Sequence, residues 1–139
     1  MTPRKTPVVL FVCVRNAGRS QMAEGFLRRA AGRGIEARSA GSDPANGLHP
    51  EVVDVMREIE IDIADATPKA LTPDVTDGVD VVVTMGCGDA CPVIPGARVL
   101  DWNIPDPAGE PMPQVRIIRD EIARRVNILS QALGVRSPV

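Results

Sequence analysis

The chain has no tyrosine, two phenylalanines and a single tryptophan among its 139 residues. So few rings leave little surface for stacking a ring-shaped substrate. Histidine also occurs only once, as His49. A zinc centre needs about four ligands, and His49 reads better as the lead-in to a helix, so no metal site and no cofactor are expected. An excess of basic charge is missing too. The net charge of −2 and the pI of about 5.4 argue against a general nucleic-acid binder, because phosphate backbones demand a basic face. No run approaches the roughly 18 apolar residues of a membrane span. The polar start "MTPRKTP" leads into a strand-length run and not into a signal peptide. The expectation is a soluble cytoplasmic protein with no membrane or nucleic-acid partner, folded as one domain over residues 1–139.

Cysteine is scarce but present, at 13, 87 and 91. In a reducing compartment thiols are more often catalytic, redox-active or metal-binding than structural staples. An odd number also leaves one thiol outside any closed set of pairs.

No repeat, low-complexity tract or linker interrupts the chain. Val8–Val12 is β-branched without alternation, which predicts a parallel strand covered on both faces. Residues 20–31 carry Met22, Ala23, Phe26, Leu27 and Ala30 at helical spacing, and Gly32 and Gly34 stop that helix. "IEARSAG" reads as a second strand. "HPEVVDVMREI" reads as a helix with Pro50 in its first turn and an apolar stripe of Val52, Val53, Met56 and Ile59. A short helix is expected around Pro68–Asp74, a third buried strand in "VDVVVTM" and a fourth in "ARVLDW". Val115, Ile118, Ile122, Val126, Leu129 and Leu133 step by three or four along a last helix, whose arginines read as a solvated face. Strands alternating with helices imply an α/β flavodoxin-like three-layer sandwich, a four-stranded parallel sheet with helices on both faces. In such sheets ligands bind outside the carboxyl ends of the strands. Cys13 sits at such an end.

Residues 13–20 read "CVRNAGRS". Between a strand and a helix start, the amides of Val14, Arg15, Asn16, Ala17, Gly18, Arg19 and Ser20 can wrap a tetrahedral oxyanion, helped by the helix dipole. Arg19 adds a planar fork of donors. The same field stabilises a thiolate. Ser20 can donate a hydrogen bond to that thiolate, and Asn16 tolerates the left-handed backbone of a tight loop. Two plainer readings compete. The loop has the length of a Walker A loop, but Cys13 replaces its first glycine and Arg19 its lysine, which argues against nucleotide binding. Cys13 could also be merely a small buried residue at a strand end. The strand before, the helix after and the adjoining serine favour a functional site.

"VCVRNAGRS" resembles the phosphate-binding loop of low-molecular-weight protein tyrosine phosphatases and of the arsenate reductases that share their fold. "QMAEGF", "SAGS", "HPEVVDVMREIEIDI" and "DWNIPDPAG" resemble segments of those reductases in the same order. The resemblance implies Cys13 as nucleophile, Arg19 and the loop amides as oxyanion binders, and Asn16, Ser20 and Ser39 as a supporting polar network. Arg15 departs from the phosphatases, which usually carry glycine there.

A thiolate that displaces oxygen from arsenate or phosphate needs a proton donor. Asp106 in "IPDPAG" follows the fourth strand and should lie on the Cys13 side of the sheet. By resemblance it is the general acid, with Asp101 the next candidate carboxylate. In the phosphatases this Asp-Pro is commonly followed by tyrosines that wall a deep slot. Here the chain reads "DPAG", and a shallow site suits a small inorganic oxyanion. The resemblance further implies a relay. Cys13 attacks arsenate, Cys87 attacks Cys13 of the adduct, and Cys91 attacks Cys87, leaving a Cys87–Cys91 disulfide for an external dithiol such as thioredoxin. In the family the downstream cysteines usually stand farther apart. Residues four apart on a helix hold their Cβ atoms about 5–6 Å apart, whereas a disulfide wants about 3.5–4.5 Å, so the segment must partly unwind. Related reductases use mycothiol or glutathione-type thiols, which would leave Cys91 dispensable. Phosphate and sulfate are expected competitors of arsenate. The rival functions are a phosphatase with the same nucleophile and acid, and a non-catalytic oxyanion-binding or redox-sensing module.

Overall fold

The structure, a computed structural model, describes residues 6–86 and 91–134. The apolar run without alternation becomes strand β1, Val8–Cys13, and all six of its residues are buried. It lies second in a four-stranded sheet of order β2-β1-β3-β4, where β2 is Glu36–Gly41, β3 Val81–Thr84 and β4 Arg98–Asp101. Every pairing is parallel, and the fold is flavodoxin-like α/β. From β1 the chain first winds to β2 on one side, then crosses to β3 on the other. The carboxyl end of β1 is therefore the point where the winding reverses, the place such sheets leave open for a ligand.

Alternation along the strands divides the core. Val9, Phe11, Cys13 and Val83 face one way and pack with Phe26 of helix α1 (Arg19–Ala31), Met56 of α2 (Pro50–Arg57) and Ile122 of α4 (Met112–Ala132). Val8, Leu10, Val12 and Val82 face the other way, against Leu71, Val75, Ile94 and Cys91. The two outer layers are unequal. The long helices share one face, and the other carries the four-residue α3, Pro73–Thr76, with irregular chain beside it. Phe11 and Trp102 meet with ring centroids 5.8 Å apart and tilted. Truncating a ring so enclosed costs roughly 3–5 kcal/mol. Among the described residues no helix is long and apolar enough to cross a membrane.

Three local expectations need correction. The short helix expected at Pro68–Asp74 begins only at Pro73. Thr67 and Thr72 precede prolines and so avoid the helical region, and the chain between them runs alongside the end of β2. There the Gly41 N–H donates to the Lys69 carbonyl at 2.8 Å, and Ala70 forms a parallel bridge to Gly41. On α2 the buried stripe is Val52, Val55 and Met56, with Val53 and Ile59 only partly buried. The helix ends at Arg57, and Glu60 turns the chain with φ 65°.

The arginines of α4 are also not uniformly solvated. Arg119 is buried and donates to the Val55 carbonyl and to Glu58, each at 2.9 Å. Arg116 forks onto the same carboxylate, with Nε at 3.0 and 3.2 Å and Nη2 at 2.9 Å. Hydrogen bonding from Arg116 pulls the Glu58 carboxyl below the usual carboxylate range; partial burial opposes this, and Arg119 reinforces it. The two arginines tie α4 to the end of α2.

Candidate active site

The loop from Cys13 to Ser20 is shaped from outside by the chain that follows β2. The carbonyls of Cys13, Val14, Arg15 and Ala17 accept from the N–H groups of Ser42 (3.2 Å), Asp43 (2.8 Å), Ala45 (2.9 Å) and His49 (3.1 Å). A trans peptide is planar, so a carbonyl turned outward turns the following N–H the opposite way. The amides of Val14, Arg15, Asn16 and Gly18 thus point away from residues 42–49, as a backbone cradle for an anion requires. The close approach depends on Gly41. A Cβ there would lie 2.6 Å from the Val14 carbonyl oxygen and 2.9 Å from the Asn16 nitrogen.

Asn16 is the hub of the loop. Its backbone is left-handed, φ 51°, and its side chain is fully buried. Its Oδ1 accepts from the Lys69 backbone N–H at 2.8 Å and from Gln21 Nε2 at 3.0 Å. Its Nδ2 donates to Ser20 Oγ at 2.6 Å. Ser20 Oγ stands 2.9 Å from Cys13 Sγ. Because the serine oxygen already accepts from Asn16, its own proton is free to point at the sulfur. The Cys13 thiol is free and 2% exposed.

Arg19, the first residue of α1, is buried, and its Nη1 donates to the Ile104 carbonyl at 3.0 Å. Its Nη2 stands 3.9 Å from Asp106 Oδ2. Asp106 is held by its own turn, Oδ1 accepting from the Ala108 N–H at 3.0 Å. Gly86 makes room for the guanidinium: its φ is +90°, and a Cβ there would lie 2.6 Å from Arg19 Nη1. Gly18 lies close under the loop that carries Asp106, where a Cβ would meet Pro107 at 3.1 Å.

The structure therefore brings Cys13, Asn16, Arg19, Ser20 and Asp106 to one end of the sheet. Ser39 stands apart from the Asn16–Ser20–Cys13 chain. Its Oγ donates to Glu24 Oε1 at 2.7 Å, and Glu24 also pairs with Arg28 at 2.8 Å and Lys69 at 3.8 Å. Arg15 directs its charge onto Asp43 at 2.7 Å, both side chains being well exposed. Asp101 accepts from Thr84 Oγ1 at 2.8 Å at the end of β4. Cys91 is half-buried and disulfide-bonded. Cys87, the expected middle member of the relay, lies outside the described residues. Sequence reasoning missed Gln21, Lys69, Gly41 and Gly86 as site residues. Only the glycine closing "SAG", at the end of β2, and the one closing "TMG", two residues past β3, carried a local signal. Among the described residues no cluster of His, Cys, Asp or Glu could hold a metal ion.

A thiol at the floor of an amide cradle, beside a buried arginine and a carboxylate, defines a cysteine-dependent oxyanion-processing enzyme fold. Residues 8–137 match the low molecular weight phosphotyrosine protein phosphatase family, and the chain belongs to that family. It is similar to arsenate reductase 1 of Staphylococcus haemolyticus, 35% identical over 129 residues that cover 90% of this chain and 96% of that protein. Among solved structures it is similar to a thioredoxin-dependent arsenate reductase of Corynebacterium glutamicum, with TM-score 0.81 and 46% identity over 92% of this chain. This chain spans 62% of the length of that one. It also superposes on an arsenate reductase in a phosphate-binding state, with TM-score 0.78 and 32% identity, covering 92% of this chain and 99% of that one.

Proposed function

We propose that this chain is an arsenate reductase, working as one catalytic domain, that takes arsenate to arsenite through Cys13, Cys87 and Cys91. The observation that carries the reading is the hydrogen-bond chain Asn16–Ser20–Cys13. It ends on a free thiol in the same molecule in which Cys91 is held as a disulfide. That thiol pattern is the one the relay leaves after its last internal exchange.

In the proposed reaction the loop amides and Arg19 bind the arsenate oxygens, and the Cys13 thiolate, steadied by Ser20, attacks arsenic. One As–O bond breaks, and Asp106 gives its proton to the departing oxygen, which leaves as water. The Cys87 thiolate then attacks Cys13 Sγ. The electron pair of the S–As bond passes to arsenic, releasing arsenite and forming a Cys13–Cys87 disulfide. Cys91 attacks Cys87 and frees Cys13. An external dithiol of the thioredoxin type reduces the final disulfide; a mycothiol- or glutathione-type thiol is the alternative donor. Phosphate and sulfate, tetrahedral like arsenate, compete for the cradle.

Phosphatase chemistry is the second reading. It is favoured by the family and by the sufficiency of Cys13, Arg19 and Asp106 for cleaving a phosphate monoester. Its site here lacks any tyrosine to wall a phosphotyrosine slot. The experiment is arsenate-dependent oxidation of thioredoxin in a coupled assay, beside hydrolysis of an aryl phosphate. Arsenite production that requires Cys13 and Cys87 supports the reductase. Aryl phosphate hydrolysis without arsenite production overturns it.

A further inference from the structure

We propose that Gln21 is a positioning residue of the cradle, setting the direction in which hydrogen bonds run from Asn16 through Ser20 to Cys13. The proposal rests on the reading of Cys13 as the nucleophile. Gln21 lies in the first turn of α1 and is 2% exposed. Its Nε2 has three acceptors within reach: the Asn16 carbonyl at 3.2 Å, Asn16 Oδ1 at 3.0 Å and the Thr67 carbonyl at 3.1 Å. An amide nitrogen has two protons, so one is shared between the two Asn16 oxygens and the other reaches Thr67.

Two consequences follow from that grip. First, Asn16 is held by both its backbone carbonyl and its side chain in a left-handed conformation (φ 51°), which is uncommon outside glycine although asparagine tolerates it. Second, Oδ1 of Asn16 receives donors from both Gln21 and the Lys69 N–H. An oxygen so engaged fixes the amide with its nitrogen toward Ser20. Ser20 then accepts from Asn16, and its hydroxyl proton is left for the Cys13 sulfur. Were the Asn16 amide reversed, its oxygen would face Ser20 and claim that proton. The thiolate would lose its donor although no atom in contact with it had changed. Gln21 also joins the cradle to the chain before Pro68, so the loop, α1 and residues 67–69 are locked as one unit.

The test uses the reactivity of Cys13 toward iodoacetamide in the full chain without arsenate, so its outcome is independent of whether arsenate is the substrate. Gln21→Met keeps length and removes the donors. Its Cys13 alkylation at neutral pH should fall about tenfold, the order of effect of a hydrogen bond to a charged group, and its pH–rate profile should move to higher pH. In a Ser20→Ala background the same substitution should change the rate less than about twofold, because Gln21 acts through Ser20. Gln21→Ala, a good helix former, is the second variant and is read the same way if the methionine variant does not fold. A folded variant that alkylates like the parent overturns the proposal. So does an equal loss with and without Ser20, which would mark Gln21 as a packing residue only.

Discussion

Arg19 and Asp106 stand 3.9 Å apart, the guanidinium buried and the carboxylate more than half exposed. Residues far apart in sequence meet there because Arg19 also donates to the carbonyl of Ile104, two positions before the aspartate. The residue proposed to bind the anion is thus the support of the loop that carries the proposed acid. A leaving oxygen held by Arg19 would lie within reach of the acid, and the open carboxylate can be reprotonated from water.

Asp106→Asn keeps the shape of the side chain and removes its proton. The chemical step should slow by something like the 10²–10⁴ typical of general acids, with oxyanion affinity little changed. Single-turnover kinetics check this. Unchanged rates would shift the role to Asp101.

Phosphate or arsenate should protect Cys13 from alkylation, because the bound anion would cover the sulfur at the floor of the cradle. Of the three cysteines Cys13 should also react fastest in the fully reduced protein. Peptide mapping after limited alkylation reads both outcomes. If saturating phosphate leaves Cys13 as reactive as before, the cradle does not lie over the thiol.

Cys87→Ser should abolish multiple turnovers with arsenate while sparing any hydrolysis of a small aryl phosphate. Cys91→Ser should stop after about one turnover with Cys13 bonded to Cys87, a pairing that needs Cα atoms within roughly 7 Å. Disulfide mapping by mass spectrometry identifies the trapped pair. Normal cycling of Cys91→Ser with thioredoxin would replace the internal relay by a small external thiol.

Gly86→Ala should weaken oxyanion binding more than it weakens the fold. The added methyl would lie 2.6 Å from Arg19 Nη1 at a φ of +90°, so the guanidinium must move from its place beside Ile104. A loss of about tenfold or more in phosphate affinity is expected, the order of one hydrogen bond to a charged group. Calorimetric titration with phosphate, run beside thermal unfolding, separates the two effects.

Glu58 supplies a pH dependence of stability. Its folded carboxyl is held low, first by hydrogen bonding from Arg116, while the unfolded group titrates near the usual value of about 4.3. The stabilisation is therefore full above that unfolded value and is lost as pH falls through the lowered folded one. Glu58→Gln should be less stable than the parent at neutral pH, with the gap closing in acid and shrinking in high salt. Urea unfolding at several pH values measures it. A gap independent of pH would mean that the contact acts by shape alone.

Much of this was legible in the sequence because it is local. β1 and α4 announce themselves by unbroken apolarity and by steps of three or four, and Cys13, Asn16, Arg19 and Ser20 fall within one short loop. What stayed hidden is long-range. The prolines at 68 and 73 argue locally against a helix at Pro68–Thr72, but the asparagine side chain 53 positions away that takes the Lys69 N–H lies outside any window around residue 69. Gln21 has no local mark that sets it apart from other polar residues on a helix, and its partner Thr67 lies 46 positions on. Ser39 has the burial expected of a supporting residue, but its hydroxyl serves Glu24. Strand alternation fixes the face a side chain takes, not the partner it finds there.

Cys13 packs into the core on one face of the sheet, and Cys91 packs against the other. In the proposed relay the oxidising equivalents of arsenate therefore pass from a sulfur packed in one layer of the sandwich to a sulfur packed in the other, around the carboxyl end of the sheet where the cradle opens.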